Sequence, residues 1–203
     1  MPLQLYDKEQ ILEACLAVFA RHGYKNTSAV MLAEAAGVSK ALIFHHFKSK
    51  KELYLSVLGR CIGKVRTELD IEALPEYGDF FAALDEFSYL KLDYYRKNPD
   101  ECKVLKEAFY VMADELKAEI EERYGAVIAA KDKVLERLFQ KLPLREGVNR
   151  EQAFELIMVV LDYVEEKCLA GLTDKNDLDQ RYWEGIIGEM NNFFAMIRYG
   201  IER

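Results

Sequence analysis

The residues with the most informative chemistry lie between Thr27 and Lys50, where hydroxyl, lysine and histidine side chains are interspersed with apolar ones. Such groups can hydrogen-bond to the phosphate oxygens and base edges of a nucleic-acid duplex. The adjacent pair His45 and His46 could instead suggest a metal site. Neighbouring helix positions point ~100° apart, however, and cannot both bind one ion comfortably. We therefore predict no metal site here.

The spacing of small, turn-forming and capping residues in this stretch predicts a helix-turn-helix. Ala33 permits close helix packing, Gly37 supplies the positive φ of a tight turn, and Ser39 caps the next helix. The apolar residues expected to hold that helix in place are Val38, Leu42, Ile43 and Phe47. The residues left without a core role are Lys40, Ala41, Phe44, His45 and His46. A helix presenting such side chains fits the major groove of DNA.

Several of these residues have a second interpretation. Phe44 can fill the core instead of facing the groove. Lys48 and Lys51 can be solvated surface charges. Lys40 is long enough to reach the N7 and O6 atoms of guanine, but it can equally contact a phosphate.

The distribution of charge supports a polyanionic partner for the N-terminal part alone. The whole chain has a net charge of −7, which by itself argues against nucleic acid. Residues 1–60 nevertheless contain eight Lys and Arg against five Asp and Glu, together with all three histidines. Chance asymmetry would give the same counts. A basic head on an acidic body otherwise predicts that only the head approaches DNA.

Apolar residues recur at helical spacing throughout the chain, and alternation of period two does not persist. We predict an all-α protein of about nine helices, with Asp7 capping the first, Ser49–Glu52 forming a capping box, a connector at 72–79 and a last helix starting at 174–177. The longest apolar run, Leu156–Leu161, is too short to span a bilayer, so we predict no membrane partner. The four cysteines are widely spaced, which predicts free thiols in a cytoplasmic protein.

Residues 8–58 resemble the tetracycline-repressor (TetR) family of bacterial and archaeal transcription regulators. The resemblance is clearest at Phe19–Tyr24, Ala36–Ser39 and Phe47–Leu53. It implies a dimer whose two recognition helices enter successive major grooves of a palindromic operator on double-stranded DNA.

The same resemblance implies a division of the chain into two domains and assigns roles to single positions. A three-helix DNA-binding head with the helix-turn-helix is expected over residues 1–48, and a helical ligand-binding and dimerisation body over 49–203. Phosphate contacts are implied for Thr27, Ser28, His46 and Lys50. Groove-facing positions are Ser39, Lys40, Ala41 and His45, and the neighbouring Lys48 completes the predicted DNA-binding set. Phe44 stands where the family usually has a tyrosine that contacts a phosphate, so here it can only pack or touch a thymine methyl group.

The last two helices carry more apolar surface than one packing face requires. The residues predicted for a dimer interface are Phe154, Ile157, Leu161, Trp183, Ile186, Ile187, Met190, Phe194 and Ile197. A further stripe comprises Leu156, Val159, Val160 and Tyr163. Gly185 and Gly188 would permit close helix approach, because glycine inside a helix is otherwise unfavourable. We expect a four-helix interface between two subunits, and a buried hairpin in a monomer is the alternative.

The middle helices are rich in tyrosine and phenylalanine, which line pockets well but also form ordinary cores. The resemblance implies that some of them enclose an apolar or aromatic small molecule. The residues selected for this ligand site are Tyr94, Phe109, Tyr110, Met112, Met158 and Tyr163.

Together these patterns predict a ligand-responsive transcriptional regulator, a repressor that its small molecule releases from DNA. The alternatives are a helical protein-interaction module and an activator without a small-molecule effector. No nucleophile-elbow, metalloprotease or nucleotide-binding motif is present, and no histidine follows His46 to act as a general base. We therefore predict no enzymatic activity and no cofactor.

Overall fold

A computed structural model describes residues 8–70, 73–74, 79–174 and 180–203 of the chain. These residues form nine α-helices and no β-strand, which confirms the all-α prediction. The helices are α1 (Lys8–Asn26), α2 (Ala29–Ala35), α3 (Lys40–Phe47), α4 (Lys50–Leu69), α5 (Phe80–Lys97), α6 (Pro99–Tyr110), α7 (Asp114–Phe139), α8 (Arg150–Asp174) and α9 (Gln180–Ile201). The predicted cap Asp7 and most of the segments 72–79 and 174–177 lie outside the described residues.

Helices α1, α2 and α3 form the predicted helix-turn-helix head. The backbone N–H of Met31 donates to the Ser28 hydroxyl at the start of α2 (3.3 Å). The N–H of Leu42 donates in the same way to the Ser39 hydroxyl at the start of α3 (3.2 Å). Between the two helices, Gly37 has a φ of 65°, which residues with a side chain rarely adopt. The caps and the turn therefore lie where local sequence chemistry predicts them.

Only half of the predicted capping box opens α4. The N–H of Glu52 donates to the Ser49 hydroxyl (3.1 Å), as predicted. The Glu52 carboxylate does not reach back to Ser49, because it accepts two hydrogen bonds from the Arg123 guanidinium (2.7 and 3.0 Å). These bonds hold the pKa of Glu52 below its usual value. A long-range ion pair has thus replaced the local contact.

The chain divides by packing into two compact units. The first contains the residues up to Val65 together with Asn98–Gly125, and the second contains Arg66–Lys97 together with Ala126–Arg203. Because these units reflect packing and not activity, the functional boundary predicted after residue 48 stays a prediction.

The core of the first unit joins the head helices to α6 and α7. The rings of Phe19 and Tyr24 each lie 5.0 Å from the Tyr54 ring in edge-on contacts. Val104 and Leu105 of α6 are buried in the same apolar cluster. Helix α1 of the head is therefore packed directly on α6.

The second unit has an aromatic core and a half-buried ion pair. Phe80 packs edge-on against Phe139, with ring centroids 5.0 Å apart. Within the same unit, Lys91 forms an ion pair with Glu165, which also accepts a hydrogen bond from the Tyr95 hydroxyl. Burial alone would raise the pKa of Glu165, but Lys91 and Tyr95 hold it below its usual value.

The cysteines agree with the predicted free thiols. All four are free and buried, and burial raises the pKa of Cys15, Cys61 and Cys168 to about 12. In the part of the chain that the structure describes, no group of three or more His, Cys, Asp or Glu side chains is placed to hold a metal ion. None of the described helices is both long and apolar enough to cross a membrane.

Candidate nucleic-acid interface

Helix α3 presents polar residues to solvent and is anchored by two apolar ones. Ile43 and Phe47 are buried in the core of the first unit, at 1% and 3% exposure. The exposed residues, which we call the α3 strip, are Ser39, Lys40, Ala41, His45 and His46. Ala41 and His45 lie four positions apart and therefore share one helix face. The structure thus brings together, on one exposed element, the groove-facing residues expected from the sequence.

Three further residues border the α3 strip. The Phe44 ring is half-buried: part of its surface packs against the core of the first unit, and the rest is accessible to solvent. Both predictions for Phe44, packing in the core and contact with DNA, are compatible with this position. Lys48 is exposed, and its backbone N–H donates to the Phe44 carbonyl at the end of α3 (3.0 Å). Lys51, considered above as a solvated charge, instead pairs with Glu119.

The segment 23–27, which we call the α1–α2 corner, depends on a backbone conformation that is almost restricted to glycine. Gly23 has φ 72° and ψ 165° and interrupts α1. Thr27 is only 2% exposed, and its hydroxyl donates to the Gly23 carbonyl (2.6 Å). The predicted phosphate contact of Thr27 is therefore corrected, because this hydroxyl faces inward and holds the corner. Ser28, the next residue, remains exposed.

Lys50 also holds the α1–α2 corner. Its Nζ donates to the carbonyls of Tyr24 (2.8 Å) and Thr27 (3.0 Å), and it lies 4.4 Å from the centroid of the Tyr24 ring. Burial raises the pKa of Tyr24 to about 12, so the ring beneath the ammonium is neutral. Two of the three N–H donors of Lys50 are thus used inside the protein. The third remains available, so the phosphate contact of Lys50 stays a prediction.

A family model described as "Bacterial regulatory proteins, tetR family" matches residues 11–57. That range contains the α1–α2 corner and all of α2 and α3. Residues 11–57 therefore form a TetR-family domain. The α3 strip and the α1–α2 corner both lie inside this matched region.

Curated TetR-family relatives align with part of the chain. The HTH-type transcriptional regulator RutR of Escherichia coli K12 is 36% identical over 135 residues, which cover 60% of this chain and 60% of RutR. The HTH-type transcriptional repressor AcnR of Corynebacterium glutamicum is 42% identical over 50 residues, covering 25% of this chain and 27% of AcnR. The chain therefore spans 60% of the length of RutR.

A solved structure with the same fold covers nearly the whole chain. The transcriptional regulator FadR of Bacillus subtilis, in complex with stearoyl-CoA, superposes with a TM-score of 0.70 at 18% identity. The superposition covers 94% of this chain and 97% of FadR. At this low identity, the likeness shows that the helical body as well as the head has the TetR fold.

The six residues predicted for the small-molecule site are divided evenly between the two units. In the first unit, Phe109 and Met112 pack against the core, and Tyr110 is 43% exposed. These three residues therefore contribute to packing and surface within the first unit, and their contact with a ligand stays a prediction.

The three ligand-site candidates of the second unit differ in exposure. Tyr94 is buried, Met158 is half-buried and Tyr163 is exposed. An open groove of about 480 Å³ in this unit is lined by other residues, namely Tyr89, Leu92, Asp93, Arg96, Gln180, Trp183, Glu184 and Ile187. The sequence contains no signal that pairs α5 with α9, so this groove was not expected.

Most residues predicted for the dimer interface belong to the chain's own core. Six of the nine are buried: Ile157, Trp183, Ile186, Met190, Phe194 and Ile197. Phe154, Leu161 and Ile187 are half-buried. For these six the prediction is wrong, because side chains packed inside the second unit are not accessible to a partner. For the three half-buried residues it stays a prediction. The period of the apolar pattern shows that two stripes exist, but not which one turns inward.

In the other stripe Val160 is buried, but Leu156, Val159 and Tyr163 are exposed, and exposed apolar residues also lie on the neighbouring helix α9. We call these exposed residues the α8–α9 apolar face; its members are Leu156 (48% exposed), Val159 (58%), Tyr163 (46%), Met196 (62%) and Tyr199 (76%). The two helices meet where the Tyr163 hydroxyl donates to Glu189 (3.3 Å) and its ring lies 5.9 Å from Phe193. Gly185 and Gly188 are also exposed on α9, with open space beside them.

Proposed function

We propose that this chain is a DNA-binding transcriptional regulator that binds a palindromic operator as a homodimer, acts in the cytoplasm and is released by an apolar or aromatic small molecule. The observation that carries the proposal is the exposed α3 strip on a helix whose opposite side is buried. Ser28 and Lys48 are both exposed in the head and supply phosphate contacts, which orient a helix in the groove while base contacts specify sequence. AcnR is named a repressor, which supports repression as the sense of regulation. FadR binds stearoyl-CoA in its structure, which supports a largely apolar effector.

The proposed dimer uses the α8–α9 apolar face. A symmetric dimer buries the same patch of both subunits, so one exposed apolar face is sufficient. Two helices from each subunit then form a four-helix interface, as the sequence suggests, but through Leu156, Val159 and Tyr163 in place of the buried residues. The operator should accordingly consist of two inverted half-sites about one helical turn, or a multiple of it, apart.

Selection of bound sequences from random duplex DNA tests the whole proposal. We expect recovery of an inverted repeat, since such a repeat reports sequence specificity, two-fold symmetry and half-site spacing together. Recovery of a single unrepeated site would contradict the homodimer. No enrichment over unselected DNA would contradict DNA binding and favour a helical protein-interaction module.

Salt dependence provides a prediction specific to the phosphate contacts. Operator affinity should fall linearly with salt on a log–log plot, with a slope of about −0.9 for each phosphate neutralised. Lys48→Ala should flatten the slope by about 0.9 per subunit because it removes one such contact. Lys133→Ala is the matched control, since it removes an exposed lysine of α7 in the second unit. Equal slopes for wild type and Lys48→Ala would exclude Lys48 from the interface.

Lys40→Ala distinguishes base reading from phosphate contact at the start of α3. If Lys40 reads guanine, the variant should lose about tenfold in affinity for the selected operator and become indifferent to one base position. Its affinity for random duplex DNA should change little. Competition titrations with operators substituted at each position give both quantities. Equal losses on operator and random DNA would instead assign Lys40 to a phosphate.

A further inference from the structure

A carboxylate of α6 contacts the α1–α2 corner across a long separation in sequence. The backbone N–H of Tyr24 donates to Glu107 Oε1 (2.7 Å), and the Tyr54 hydroxyl donates to Glu107 Oε2 (3.1 Å). Both oxygens of one side chain are therefore used, one by the corner and the other by α4. Burial raises the pKa of Tyr54, so its hydroxyl keeps the proton that it donates.

Glu107 supplies a hydrogen-bond acceptor for the Tyr24 N–H at the point where α1 is interrupted. In a regular helix this N–H would donate to the carbonyl four residues earlier. Gly23 leaves the helical conformation immediately before it, and the Tyr24 N–H donates to Glu107. A Cβ atom on residue 23 would lie 2.7 Å from Glu107 Oε1, so the glycine also makes room for the carboxylate.

The corner is fixed from two sides. The Tyr24 N–H donates to Glu107 of α6, and the Tyr24 carbonyl accepts from the ammonium of Lys50 of α4. The same ammonium also donates to the Thr27 carbonyl. Helix α2 begins directly after this corner, at Ala29, and α3 follows α2 through the turn at Gly37. The direction in which α2 and α3 leave α1 is thus set by residues outside the α3 strip.

Hydrogen bonds to an ionised carboxylate are about twice as strong as bonds between neutral groups, which suits Glu107 for this role. We propose that Glu107 is a positioning residue for DNA binding, whose carboxylate fixes the α1–α2 corner and thereby the orientation of the α3 strip. The inference rests on the proposed function, because it explains how the helix-turn-helix is held in the orientation that binds a DNA duplex. Any partner or ligand that draws α6 away from the corner would then weaken DNA binding without contacting the head.

Glu107→Ala tests the role, with Glu101→Ala as the matched control. Glu101 is an acid of the same helix in the same unit and pairs with Lys64 of α4 (2.9 Å), away from the corner. Each variant loses one negative charge and one side-chain contact between α6 and α4. We expect Glu107→Ala to lower operator affinity about tenfold, whereas Glu101→Ala stays within about twofold of wild type. Hydrogen exchange of the Tyr24 amide should quicken in Glu107→Ala alone.

Two milder variants keep the test valid if Glu107→Ala folds poorly. Glu107→Gln retains an oxygen that accepts from the Tyr24 N–H, so it should restore affinity to within about threefold of wild type. Tyr54→Phe removes only the second bond of the carboxylate and should give a loss between those of Glu107→Gln and Glu107→Ala.

The outcomes separate this inference from the proposed function. A wild-type protein that binds the operator, together with Glu107 variants that bind it equally well, overturns the positioning role and leaves DNA binding intact. Faster exchange at Tyr24 without a loss of affinity overturns the positioning role in the same way. A wild-type protein that binds no duplex overturns both the proposed function and the positioning role.

Discussion

Val159→Glu is expected to dissociate the proposed dimer into 23.5 kDa subunits and to lower operator affinity about 100-fold or more. Val159 is 58% exposed on the α8–α9 apolar face, so the substitution should leave the fold of the single chain intact. In a symmetric interface each subunit contributes the same residue, and two carboxylates would be buried without partners. Light scattering measures the particle mass, and operator titration measures the affinity.

Ile128→Glu is the control for this experiment. Ile128 is an exposed apolar residue of α7 in the same unit, at 37% exposure, and it does not belong to the α8–α9 apolar face. The control should keep the mass and the affinity of the wild type. A dimer of unchanged affinity in Val159→Glu would show that the subunits associate through another surface, and a monomeric wild type would favour the buried-hairpin alternative.

Gly23→Ala is expected to destabilise the protein by about 3 kcal/mol and to impair DNA binding in parallel. The φ of 72° with ψ of 165° lies in a region that residues with a Cβ essentially avoid. The new methyl group would also lie 2.7 Å from Glu107 Oε1 and force the carboxylate off the Tyr24 amide. Denaturant unfolding gives the stability, and operator titration under native conditions gives the affinity.

Two other glycines separate backbone strain from displacement of the carboxylate. Gly37→Ala meets a φ of 65° with open space around the position, so it should cost about 1–2 kcal/mol from strain alone. Gly63→Ala lies within α4, where the added Cβ would meet no atom within 4 Å, and should stabilise the protein by about 0.5–1 kcal/mol. If Gly23→Ala lowers the free energy of unfolding no more than Gly37→Ala does, displacement of the Glu107 carboxylate does not contribute to the destabilisation.

The parts of the head that the sequence predicts correctly are those with local causes. Ser28, Gly37 and Ser39 act within four residues of themselves, through caps and a turn whose chemistry is known from short segments. The exposure of the α3 strip follows from the same short-range pattern, because Ile43 and Phe47 have the spacing of one buried helix face.

The parts that were missed depend on partners far away in the chain. Glu107 accepts from the Tyr24 N–H, 83 positions away in the sequence. Glu52 accepts from Arg123, 71 positions away, in place of the expected bond to Ser49. Nothing near Lys50 in the sequence indicates that its ammonium faces two backbone carbonyls. Which of the two apolar stripes of α8 and α9 is buried likewise depends on tertiary packing, since both stripes have the period of a packing face.

The first unit is built from two separate stretches of chain, and this limits how the protein can be dissected. A fragment that stops at Val65 lacks Val104 and Leu105, and the apolar surface that they cover would be open to water. A minimal DNA-binding miniprotein therefore has to retain Asn98–Gly125 and replace Arg66–Lys97 by a short loop. The Lys64 ammonium already reaches the Asn98 side chain (2.6 Å), so the two ends to be ligated are neighbours.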